Sequence, residues 1–115
     1  MEMHEEIKDD VLVLKLHGEL MGGEEISEIH NRFMVAIREG CPQIIVDMAD
    51  VKWMNSSGLG SLMAGLTTLR GSGGDLKLVH VPERVRRPIE ITKLDQVIRI
   101  YEDLDEAVAS FGEGE

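Results

Sequence analysis

The chain has 115 residues, 43% hydrophobic content, only 3% aromatics and a formal net charge of −10. That length suits one domain, residues 1–115, able to bury about two-thirds of its unfolded surface without disulfide or metal staples. The acidity argues against a nucleic-acid partner, which is held by clustered Lys and Arg, and against an anionic membrane surface.

No apolar run is long enough to span a bilayer, and the start, Met1-Glu2-Met3-His4-Glu5-Glu6, lacks the basic-then-apolar pattern of a signal peptide. A cytoplasmic protein without membrane insertion is the expectation. Cys41 is alone, which excludes an internal disulfide and a Cys-based metal cage.

Residues 2–8 are weakly patterned and fit a short edge strand, followed by a turn at Asp9-Asp10. Val11 to His17 is β-branched and apolar, a buried strand predicted to end at Gly18. Met21-Gly22-Gly23 reads as a turn into a helix whose start carries Glu24, Glu25 and Glu28, where negative charge suits the helix dipole. Ile26, Ile29, Phe33 and Ile37 form its buried stripe, Arg38 lies in the last turn and Gly40 is the stop. Gln43 to Met48 is predicted as a central strand buried on both faces.

A second helix is predicted over Ser57–Arg70, with Leu59, Leu62, Met63, Leu66 and Leu69 on its apolar face; Gly71-Ser72-Gly73-Gly74 ends it. Leu76–Val79 is the next strand. Pro82 suits the first turn of a third helix carrying Val85, Ile89 and Leu94, which Pro88 should kink or shorten. Val97–Tyr101 is the last strand. Asp103 with Glu106 resembles a capping box opening a final helix with Leu104, Val108 and Phe111. Residues 112–115 are expected to fray. Strands alternating with helices predict an α/β domain with a mixed, mostly parallel sheet of about 4–5 strands and about 4 helices.

The stretch that organises the chain is Asp50-Val51-Lys52-Trp53-Met54-Asn55-Ser56-Ser57-Gly58-Leu59-Gly60. It reads as a polar turn between a strand and a helix, so two adjacent hydroxyls sit where unpaired N–H groups and the positive end of a helix dipole gather. One reading makes Asn55 or Ser56 a simple N-cap and the glycines simple turn formers. The other has Gly58 and Gly60 opening the backbone to the approach of another molecule or a phosphate. Trp53 is read as a core or turn anchor.

The element order, the Gly18-Glu19-Leu20 turn and Met54-Asn55-Ser56-Ser57-Gly58-Leu59-Gly60 together resemble a STAS domain over about residues 8–111. Gly73-Gly74-Asp75-Leu76-Lys77-Leu78 and Ile91-Thr92-Lys93-Leu94 strengthen the likeness. The stand-alone anti-sigma factor antagonist type is the nearer match, since the chain has no transmembrane segment. The resemblance implies that Ser56 is phosphorylated by an anti-sigma factor that is itself a serine kinase. The unmodified form binds that kinase, the modified form lets go, and a serine phosphatase resets it. It places Asn55, Ser56, Ser57, Gly58, Leu59, Gly60, Met21 and Gly22 at the partner surface. The common motif has Asp where this chain has Asn55, a change that keeps capping ability and removes a charge.

No catalytic role, metal or cofactor is expected. There is no Gly-x-Ser-x-Gly elbow, and His4, His17, His30 and His80 are scattered. Glu24, Glu25, Glu28 and His30 lack metal-site spacing, and Gly58-Leu59-Gly60 fails the dinucleotide fingerprint. Arg84, Arg86 and Arg87 read as a solvated helix face. The alternative function is a constitutive scaffolding subunit of a signalling or lipid-transport complex, kept open by Asn55. Oligomeric state is left open.

Overall fold

In a computed structural model that describes residues 2–112, two strands open the chain as a hairpin, β1 (Glu2–Lys8) and β2 (Val11–Leu20). Asp9 and Asp10 both adopt positive φ (51° and 65°), the twist that a two-residue hairpin loop demands. Then follow α1 (Glu24–Arg38), β3 (Gln43–Met54), α2 (Ser56–Gly71), β4 (Asp75–Val79), α3 (Glu83–Ile91), β5 (Arg99–Tyr101) and α4 (Leu104–Ser110). The sheet has the order β1-β2-β3-β4-β5, with β1 antiparallel to β2 and the other neighbours parallel. This is the mixed, mostly parallel sheet with four helices that the sequence predicts. None of the described helices is long and apolar enough to cross a membrane.

Each parallel pair is joined through a helix, and crossovers of one hand that always step the same way put their helices on one face. Leu12, Leu14, Leu16, Ile44, Val46, Leu76 and Leu78 turn to that face and meet Ile29, Phe33, Leu62, Leu66, Leu69, Val85 and Ile89. The opposite face is covered only in part. There α4 lays Ala107, Val108 and Phe111 over Val11, Val13, Ile45 and Val79. Lys77 is buried under this helix, its ammonium donating to Ser110 Oγ at 2.6 Å and lying 4.1 Å from the Phe111 ring centre. An amine held this way keeps a hydrogen bond and a π face in place of water.

Several boundaries differ from the sequence prediction. β2 does not stop at Gly18. That residue, at φ 118°, lies beside register shifts that bend the strand, which continues to Leu20. β3 likewise runs past Met48 to Met54, so Asp50–Met54 is strand rather than turn. Its first half pairs with β2 and β4, its second half with β2 alone. Polar residues are tolerated there because one edge is open. Asp47, a carboxylate inside the predicted strand, is buried and accepts from Ala49 N–H at 3.0 Å while facing His80 Nδ1 at 3.1 Å.

On α2 the inward stripe is Gly58, Leu62, Gly65, Leu66 and Leu69; Met63 is 40% exposed, and Leu59 is only partly buried. Gly65 is inward because Phe33 of α1 fills the space a Cβ there would need. Pro82 sits just ahead of α3, its carbonyl accepting from Val85 and Arg86. Pro88 is carried inside α3, which stays nine residues long. Leu94 leaves that helix for a 3-10 turn, Leu94–Gln96. Ile98 N–H bonds to the Leu94 carbonyl rather than to a neighbouring strand, and β5 accordingly begins at Arg99, not Val97. Asp103 caps α4 by accepting from Glu106 N–H at 3.0 Å. Gly112 donates to the Ala109 carbonyl; the rest of the predicted frayed tail, 113–115, lies outside the described residues.

Candidate functional site

The C-terminal ends of β2 and β3 lie side by side, Leu20 opposite Met54. The residues that follow each strand, Met21-Gly22-Gly23 and Asn55-Ser56-Ser57, therefore emerge together. Asn55 joins them. Its side-chain oxygen accepts from Gly58 N–H at 3.0 Å, capping α2, while its amide nitrogen donates to the Met21 carbonyl at 2.8 Å. Only an amide fills both roles, since a carboxylate has no proton for the carbonyl. The backbone N–H of Asn55 also reaches the Leu20 carbonyl, at 3.4 Å.

Ser56 is the first residue of α2 and Ser57 the second; both are exposed. The helix is 16 residues long and has no acidic residue in its first turn, so the positive end of its dipole is not neutralised from within. Gly58 and Leu59 N–H groups both bond to Asn55, through its side chain and its carbonyl. The two earlier N–H groups, of Ser56 and Ser57, are the ones a helix leaves without an internal partner. Gly22, at φ 124°, brings its Cα beside Ser57, whose Cβ would lie 3.6 Å from a Cβ built there. Ser61 closes the turn by donating to the Gly58 carbonyl at 2.7 Å.

The two glycines of the motif do different things. A Cβ on Gly58 would stand 2.5 Å from the Leu20 carbonyl oxygen and 2.7 Å from Met54 Cγ, so Gly58 is buried to let α2 seat on the strand ends. It offers no surface to a visitor, which corrects its expected place among the contact residues. Gly60 is exposed with open space around it. Leu59 is partly buried against the core. Met21 is 46% exposed and Trp53 57%, so two large apolar side chains stand in solvent on the strands' last residues and the turn that follows. Trp53 is thus not the core anchor its hydrophobicity predicts. Its outward direction follows from the register shift that sets it opposite Glu19, which sequence periodicity does not reveal.

Histidines and carboxylates pair elsewhere. His17 meets Asp50 at 3.2 Å and His80 meets Asp47, and among the described residues no hydrogen bond links either pair to Ser56. The arrangement is an exposed hydroxyl on a helix N-terminus, beside the Met21-Gly22-Gly23 loop that Asn55 ties to it. It can accept a charged group or a protein surface.

The STAS domain family model matches residues 2–107. An anti-sigma-B factor antagonist of Staphylococcus epidermidis is 30% identical over 94 residues, covering 82% of this chain and 86% of that one. A crystal structure from Thermotoga maritima superposes with a TM-score of 0.87 at 28% identity, covering 96% of this chain and 95% of the other. The anti-sigma factor antagonist SpoIIAA shares the fold in its unphosphorylated form (TM-score 0.79, 21% identity, 99% and 100% coverage), as does the Bacillus SpoIIAA in its phosphorylated form (0.72, 22%, 95% and 98%).

Proposed function

This chain belongs to the STAS domain family, and on that footing we propose that it is an anti-sigma factor antagonist switched by phosphorylation of Ser56. The unmodified protein docks the turn formed by Met21, Gly22, Asn55, Ser56, Ser57, Leu59 and Gly60 onto an anti-sigma factor with serine kinase activity, in the cytoplasm. Transfer of a phosphoryl group to Ser56 Oγ releases the complex, and a serine phosphatase restores it. The protein itself performs no catalysis.

The observation that carries this reading is the position of Ser56, an exposed hydroxyl on the first residue of a long helix whose first turn lacks acid. A phosphate there adds about −1.5 to −2 charges. Within the protein, the open N–H groups and the helix dipole tolerate that charge. A partner packed over the turn and its neighbour Met21 meets the same charge as a desolvation cost and a steric block, so one modification separates bound from free.

The test is incubation with the anti-sigma kinases of the source organism and ATP, read by intact mass and fragmentation. One phosphate on Ser56, absent in Ser56→Ala and retained in Ser57→Ala, with loss of the complex on modification, is the expected result. A protein that stays unmodified with every such kinase while holding a partner regardless would favour a constitutive scaffold. The two-sided use of the Asn55 amide is what favours that second reading, because it gives Asn55 a structural task unrelated to a kinase.

A further inference from the structure

Strand β1 is one edge of the sheet: β2 lies on one side of it and no described strand on the other. Such an edge presents unpaired backbone donors and acceptors, which proteins usually blunt with charges. The charges on β1 have a pattern. With the sequence Glu2-Met3-His4-Glu5-Glu6-Ile7-Lys8, an antiparallel pairing with a second β1 centred on Glu5 sets Glu2 opposite Lys8, Met3 opposite Ile7 and His4 opposite Glu6, each twice. A continuous sheet requires facing residues to share a face, so only registers centred on a residue are open to a two-fold pair.

Centring on His4 would put Glu2 against Glu6 and Met3 against Glu5. Centring on Glu6 would put His4 against Lys8 and Glu5 against Ile7. Centring on Met3 or Ile7 pairs only three residues of each strand; the Glu5 register alone pairs all seven and sets opposite charges at both ends.

The residue at the centre is prepared for this. Glu5 is gripped by Arg32 of α1 in a two-bond fork, both contacts 2.7 Å, so two Glu5 side chains meeting at the axis arrive with their charges already matched. Ile7 is 65% exposed in a domain whose other strand aliphatics are mostly buried, and it turns to the face where its paired residue, Leu12, joins the core. Met3, on the same face, already packs against that core. In the Glu5 register Met3 of each copy covers Ile7 of the other.

We propose that β1 is a homodimer surface, two copies joining edge to edge about a two-fold axis through Glu5. The product is one sheet with five strands from each copy. Opposite-charge and apolar cross-strand pairs favour it over the like-charge registers. None of the residues of the Ser56 turn belongs to β1, so each copy keeps its own turn.

The test is sedimentation of the full chain from micromolar to near-millimolar concentration, with folding checked by circular dichroism. The unaltered protein should dimerise reversibly. Lys8→Glu and Glu2→Lys each place like charges at both ends and should weaken the dimer at least about tenfold, equivalent to 1.4 kcal/mol. The double variant Glu2→Lys/Lys8→Glu should recover it. Lys8 also lies 3.8 Å from Asp105, but that carboxylate is 86% exposed and the recovery arm controls for its loss. A monomer at every concentration overturns the proposal, as does a dimer that neither single variant weakens, or single-variant losses that the double variant does not reverse.

Discussion

Replacement of Asn55 separates the two tasks its amide performs. In Asn55→Ala the cap on Gly58 N–H is lost, which costs about 1 kcal/mol, and so is the bond to the Met21 carbonyl, which contributes a further 1 kcal/mol or so. The sum is about 2 kcal/mol. Asn55→Asp keeps an acceptor for Gly58 and gains about 0.3–1 kcal/mol from a negative charge at the start of α2. It also loses the donor to Met21 and sets a carboxylate oxygen against that carbonyl. The net expectation is about 1 kcal/mol of destabilisation, midway between the unaltered protein and the alanine variant.

Urea unfolding followed by circular dichroism measures both. Backbone order parameters by NMR should fall at Met21, Gly22 and Gly23 in both variants, while the first turn of α2 loosens only in Asn55→Ala. An aspartate variant as stable as the unaltered protein, with residues 21–23 as ordered as before, would refute the claim that the amide clips the two loops together.

Gly58→Ala forces a Cβ against the backbone oxygen of Leu20, 2.5 Å away, which cannot swing aside as a side chain can. The expected loss is about 1–3 kcal/mol with reduced partner affinity, measured by thermal unfolding and titration, whereas Gly60→Ala should be near neutral for stability. Trp53, the only Trp, should emit near the wavelength of the free indole and be quenched readily by acrylamide; a blue-shifted, protected emission in the isolated protein would contradict its exposure. The Arg32 guanidinium holds the Glu5 carboxyl below the usual range, its hydrogen bonds outweighing the opposing effect of burial. A lowered carboxylate pKa contributes stability that is present above the unfolded value and lost as pH falls through the folded one. Glu5 is half-exposed, so Arg32→Met should cost about 0.2–1 kcal/mol from the pair at pH 7 and less below pH ~4, read from urea midpoints across that range.

Local chemistry is what the amino-acid sequence determines by itself here. The stripe Ile29 and Phe33, the β-branched run from Val11, the Asp103 cap and the small-residue motif at the start of α2 each depend on neighbours within a turn or two, and each appears in the structure where the pattern puts it. Tertiary structure decided the rest. Asp50 looks like a strand terminator in one dimension, yet β3 continues to Met54 because β2 still pairs with it, and Asp47 and Asp50 each find a hydrogen-bonding partner in a histidine 33 residues away. Phe33 settles which side of α2 turns inward by needing Gly65 beneath it. Trp53 points outward because of a register shift against β2. The Asn55 amide shows the same division most plainly: its fitness as a cap is legible from residue type, but the carbonyl that uses its second hydrogen-bonding group belongs to Met21, 34 positions back, and only the pairing of two strands brings it within reach.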